Sequence, residues 1–211
     1  VGFLTGVILF QPFLWFRYFH LAHHRHTNDP GHDPELEGDG KPETWRDFIW
    51  HLSTVPYWSA KVSVLWQNAF SQEFAHYIPT AARPKIQREA RFMLMIYTAA
   101  AVALWFEPKV IIIWLLPLAA GFPFLRLYLL AEHGRCAFIA NMFENTRTTF
   151  TNRVIRFIAW NMPYHAEHHV FPNVPFHSLP ALHRLMAQHL QVTSNGYTDF
   201  TRAYVSGFKS R

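Results

Sequence analysis

The chain has 211 residues, half of them apolar and 17% aromatic, with a formal charge of +5. The basic residues are scattered and not interleaved as a stripe, which excludes a nucleic-acid partner as the reading of that charge. The single cysteine, Cys136, excludes an internal disulfide and fits a reducing compartment. It reads as a small buried residue near a helix end.

Residues 1–19 read as the end of a membrane span. The opening lacks an initiator Met, a basic n-region and a small-residue cleavage site, so it does not read as a signal peptide. The expectation is a chain that starts inside a transmembrane helix, with further residues upstream. Residues 21–84 are polar and mixed. They hold a turn-rich piece, Asn28-Asp29-Pro30-Gly31-His32-Asp33-Pro34, and a second breaker, Gly38-Asp39-Gly40. Within them, residues 45–74 mix Trp, Phe and Tyr with charges, which suits a helix in the membrane interface or one packed on the protein's own core.

A helical hairpin follows. Residues 92–106 and 110–130 are apolar runs separated only by Glu107-Pro108-Lys109, which makes them antiparallel neighbours. The second run is long enough to cross a hydrocarbon core of about 30 Å at about 1.5 Å per residue. The first is short for a span and needs tilt or a thin bilayer. Residues 132–211 return to mixed composition, without a later span, an internal repeat or a strand-like alternation. Most Lys and Arg lie in the two polar stretches and only Lys109 in the connector, so the positive-inside tendency puts both stretches in the cytoplasm. Arg126, inside the second hairpin helix, either snorkels to the surface or faces a polar interior. The expected architecture is all-α: an integral-membrane protein with a transmembrane hairpin and a cytoplasmic helical cap.

Half of the 14 histidines fall in two windows, His20-Leu21-Ala22-His23-His24-Arg25-His26 and His165-Ala166-Glu167-His168-His169. Both contain H-x-x-H-H. On a helix, positions i, i+3 and i+4 share one face, so three imidazoles aim at one spot. Neutral imidazole ligates Fe, Zn and Cu. Six nitrogens exceed the needs of one tetrahedral zinc and suit two metal ions between two helices. The triplets must then lie on one side of the membrane, and the hairpin between them supplies the even number of crossings that this requires. His26 lies on another helical face and reads as a supporting group. Asn161, one turn before His165, has the same reading. Asp29, Asp33 and Glu167 either orient imidazoles or cap turns. The segment Asn145-Thr146-Arg147-Thr148-Thr149 either holds a headgroup or caps a helix. His177, His183 and His189 read as surface or packing residues, and His32, His51 and His76 as isolated.

These residues resemble the membrane fatty-acid desaturase superfamily, whose members carry three histidine boxes. His20-x-x-His23-His24 is similar to the second box. Asn161-Met162-Pro163-Tyr164-His165-Ala166-Glu167-His168-His169-Val170-Phe171-Pro172 is similar to the third with its surroundings. The resemblance covers nearly all of residues 1–211 as one desaturase-like domain, with the first box and further spans expected upstream of Val1. It implies two iron ions held by His20, His23, His24, His165, His168 and His169, with His133 at the end of the second hairpin helix as a further ligand. Glu132 beside it is then a candidate acceptor for a ligand N–H. It also implies an acyl-lipid substrate, O2, and electrons from a partner such as cytochrome b5, ferredoxin or rubredoxin. Two rivals stay open: a lipid or carotenoid hydroxylase or ketolase on the same scaffold, and a non-enzymatic membrane metal carrier.

Overall fold

The computed structural model describes residues 1–37 and 40–208; the breaker expected at Gly38-Asp39 lies outside them. In chain order the helices are α1 (Gly2–Ile8), α2 (Phe13–His26), α3 (Trp45–Leu52), α4 (Val55–Phe70), α5 (Arg83–Phe106), α6 (Leu116–His133), α7 (Met142–Asn145), α8 (Arg153–Ile158), α9 (His165–Val170), α10 (Leu179–Met186) and α11 (Tyr197–Ser206). A π turn, Ile111–Leu115, leads into α6. Two strands of two residues each, β1 (Thr148–Thr149) and β2 (Thr193–Ser194), pair in parallel. They are too short to show any alternation in sequence. The chain divides into two compact units, one of Val1–Ala22 with Ser53–Pro123 and one of His23–Leu52 with Phe124–Arg211. The division falls within α2 and within α6.

In the first unit the opening apolar run is not one helix. It breaks between Ile8 and Phe13, around buried Pro12 and around Phe10, whose φ of 56° is unusual for a bulky residue. Phe10 is held in that conformation by stacking on Tyr97 and Trp114, at 4.5 and 5.2 Å between ring centroids. The same two residues donate to carbonyls at the end of α1: Tyr97 to Val7 O at 2.9 Å and Trp114 Nε1 to Ile8 O at 2.8 Å. α2 restarts with its own cap from a distant carboxylate, as Glu89 on α5 accepts the Leu14 N–H at 2.8 Å. Leu65, Ala69, Ala90 and Met93 close the α4–α5 interface, joined by Phe3 and Val7 of α1.

The two apolar helices are longer than their runs suggest, but they are not the expected close neighbours: α5 packs along α4 and makes little contact with α6. α5 starts at Arg83, with Pro84 in the first turn where a missing N–H costs nothing. Helical segments Thr80–Phe106 and Ile111–His133 have 27 and 23 residues, about 40 and 35 Å at about 1.5 Å per residue. Both exceed the bilayer core, and their best windows have mean hydropathies of 1.3 and 1.7. Only 17% and 6% of those windows are buried, which separates them from the core helices of a soluble protein. The aromatic stretch 45–74 forms two helices, broken where Thr54 takes a φ of 61°.

The second unit is built on Phe48 of α3, Leu130 and Ala131 of α6, and Phe200 and Tyr204 of α11. Gly134 ends α6 at a close approach: a Cβ there would lie 2.3 Å from the Leu130 carbonyl oxygen. Arg147 then caps the helix, donating to Ala131 O at 2.7 Å and Gly134 O at 2.8 Å. Arg126 does not snorkel free of the protein. Its Nη2 lies 2.8 Å from Nδ1 of His51, so His51 is not isolated either.

Candidate metal centre

Within the second unit three helix ends meet. α2 brings His23 and His24 in its last turn, α6 brings His133 as its final residue, and α9 brings His165, His168 and His169. The Nε2 atoms form a chain: His23 to His133 at 3.3 Å, His133 to His165 at 3.1 Å, and His165 to His169 at 3.1 Å. His24 stacks on His169, centroids 4.2 Å apart, and meets His168 edge-on at 4.6 Å. His23, His133, His165 and His169 are all buried. His20 lies one turn before His24 on α2, in the part of that helix that belongs to the first unit.

The tautomers follow from the outer partners. His23 Nδ1 faces Asp33 Oδ1 at 2.9 Å, and His133 Nδ1 faces the Asn145 carbonyl at 3.1 Å. His169 Nδ1 lies 3.0 Å from Thr27 Oγ1, whose hydroxyl already donates to His23 O at 2.8 Å and therefore accepts from the imidazole. His133 and His169 spend their proton outward on Nδ1 and leave a lone pair on Nε2. The ring nitrogens of His23, His133 and His169 lie within 4.8 Å of one another, close enough to share one cation. Nitrogens that each sit about 2 Å from one cation, at right angles, are about 3 Å apart. The nitrogen set fits a metal ion.

Electrostatics agree. Burial, followed by the neighbouring imidazoles, holds His165 and His169 well below the usual histidine range, and burial lowers His168 as well. These rings are neutral, the form that binds metal. For His23, burial opposes the charge, but the hydrogen bond to Asp33 and the charges of Glu35 and Asp33 outweigh it and raise the pKa. Asp33 is the mirror case: burial would raise its pKa, and His23 with the backbone N–H groups of Glu35 and Asn28 pulls it below the usual range.

Of the expected supporting groups, Glu132 lies near His165, its Oε1 3.4 Å from Nδ1 without a hydrogen bond between them. Asn161 is not: α9 begins at His165, Asn161 sits in the preceding turn with a φ of 57°, and its amide donates to Phe176 O. His26 turns away to Asp29 and stacks on His32. The groups that hold the imidazoles are instead Asp33, Thr27 and the Asn145 backbone. Asn145 is wholly buried and donates its amide to Thr27 O and Ile139 O, so the 145–149 segment laces the site from below. Glu35 was unsuspected; its Oε2 lies 3.2 Å from His23 Nε2 at the edge of the nitrogen cluster. Lys41 clamps the same region, donating to Asn28 Oδ1 and His133 O, both at 2.8 Å. Among these groups Asp33 carried a sequence signal in the turn-rich piece, and Asn145 one in the polar 145–149 segment.

Comparison with known proteins gives the same direction. The family model "Fatty acid desaturase" matches residues 1–201. The human protein named sphingolipid delta(4)-desaturase DES1 is 27% identical over 183 residues, 82% of this chain and 50% of the relative. Its counterparts from Bos taurus and Pongo abelii are 26% and 27% identical, with the same coverage. The chain thus spans about half the length of the curated relatives it matches. Histidine triplets, converging ring nitrogens and the family match agree, and the chain belongs to the fatty acid desaturase family.

Proposed function

We propose that the chain is the histidine-rich part of a membrane di-iron oxidase that desaturates a fatty acyl chain with O2. Residues 1–211 are read as one desaturase-like domain, anchored by the apolar helices 80–106 and 111–133, with its histidine clusters on the cytoplasmic side. The observation that carries this is the convergence of the buried Nε2 atoms of His23, His133, His165 and His169, each 3.1–3.3 Å from the next, with His133 and His169 held from outside through Nδ1. His24 and His168 join that set by packing, and His20 by its helical spacing from His24. When bound there, two iron ions supply the O2 activation that breaks an unactivated C–H bond.

The chain's own residues do the rest. Asp33, Asn145 and Thr27 hold the imidazoles through their Nδ1 atoms. Burial of the cluster excludes water from it. An acyl lipid is the substrate class, of which the relatives' sphingolipid is one kind, and electrons come from a donor of the cytochrome b5, ferredoxin or rubredoxin type.

The test is His168→Ala in the full-length protein, with bound iron and product measured together. Loss of desaturation with a fall in iron content is expected, and full activity with unchanged iron overturns the proposal. Mass spectrometry reads the outcome: loss of two hydrogens is desaturation, whereas gain of one oxygen makes the protein a hydroxylase or ketolase.

A further inference from the structure

Helix α9 has six residues, too few to be stable alone, yet it carries three of the imidazoles. Glu167 lies between them in sequence but not in space. At about 100° per residue it points about 150° away from their mean direction, so it grips the back of the helix. Its carboxylate is wholly buried, and each oxygen has a donor: Thr148 Oγ1 on one and His183 Nδ1 on the other.

His183, on α10, is itself held. Its ring stacks on Tyr164, the residue before His165, with centroids 4.7 Å apart and planes at 30°, and meets Phe150 edge-on at 5.6 Å. Tyr164 is fixed in turn by Arg156, whose Nη1 donates to its hydroxyl. β1 is tied to the same place, as Thr149 N–H donates to Pro163 O at 2.9 Å.

We propose that His183 is a positioning residue of the metal centre, acting through Glu167 to set the rotation of α9. The inference rests on the metal-binding reading above. Without the His183 N–H, a buried carboxylate oxygen has no donor, and the carboxylate must move to find one. A small rotation of α9 carries three ligand nitrogens off the geometry that a metal needs, which tolerates about 0.5 Å. The stacked ring explains why a histidine does this: Tyr164 and Phe150 fix its plane, so Nδ1 has one direction.

The experiment is a Co2+ titration of the full-length protein in detergent, following the visible ligand-field bands, for wild type, His183→Ala, His183→Asn and Glu167→Gln. Asparagine places an N–H near that of Nδ1. Expected are an affinity loss of about 10–100-fold with altered bands for His183→Ala, recovery for His183→Asn, and an intermediate loss for Glu167→Gln. Wild-type affinity and bands in His183→Ala overturn the inference and leave the metal site standing. Equal losses for Ala and Asn overturn it too, since packing and not the hydrogen bond would then matter. Should His183→Ala fail to fold, wild-type binding by Glu167→Gln overturns it. Failure of the wild type to bind Co2+ removes the metal reading itself.

Discussion

Asp33→Ala is the perturbation with the most to lose per atom removed. The carboxylate is 2% exposed and accepts from His23 Nδ1 at 2.9 Å, Asn28 N–H at 2.7 Å and Glu35 N–H at 2.9 Å. The His23 and Asn28 donors are buried with it. Stranding a buried donor costs about 1–3 kcal/mol, so the two together predict a loss of about 2–6 kcal/mol. Asp33→Asn keeps one acceptor oxygen and should lose about half as much. The same change frees His23 to adopt the other tautomer, with its proton on the nitrogen that faces His133, and metal affinity should fall about 10–100-fold. Thermal unfolding in detergent and a metal titration, run on the wild type and both variants, give the two numbers. A loss under about 1 kcal/mol, or metal binding unchanged in Asp33→Ala, would refute the reasoning that this carboxylate fixes the ring.

Other sites give smaller, independent tests. Asn145→Ala removes the donors to Thr27 O and Ile139 O from a wholly buried position and should cost about 2–4 kcal/mol in unfolding free energy. Gly134→Ala puts a methyl 2.3 Å from the Leu130 carbonyl and should lower the melting temperature, by about 1–3 kcal/mol of stability. Glu89→Ala uncaps α2 and should cost about 1–2 kcal/mol, whereas Glu89→Gln, still an acceptor for the Leu14 N–H, should cost less on the same assay.

The large features of the chain are readable because they repeat a simple spacing. Two H-x-x-H-H triplets announce a cluster of imidazoles at helical period, and two apolar runs around Glu107-Pro108-Lys109 announce two long apolar helices. What escapes is set by contacts distant in sequence. The break at Phe10 depends on rings from Tyr97 and Trp114, far along the chain, which no local pattern announces. Asn145 and Thr27 look like ordinary turn or cap residues; they matter because they fold against His133 and His169. His183 shows no triplet spacing because its partner is a carboxylate on the back of α9. Asn161 misleads in the opposite sense. Helical counting puts it one turn before His165, but the left-handed backbone at Trp160 and Asn161 ends that register before α9 starts. The β1–β2 pair, two residues a side, is below what any period can show.

The most direct measurement is anomalous diffraction at the iron edge from crystals of the iron-loaded full-length protein. Iron peaks bonded to the Nε2 atoms of His23, His133 and His169, with His24 and His168 beside them, are the expected result. An iron-edge map with no peak among these imidazoles, in crystals whose protein carries iron elsewhere, would contradict it.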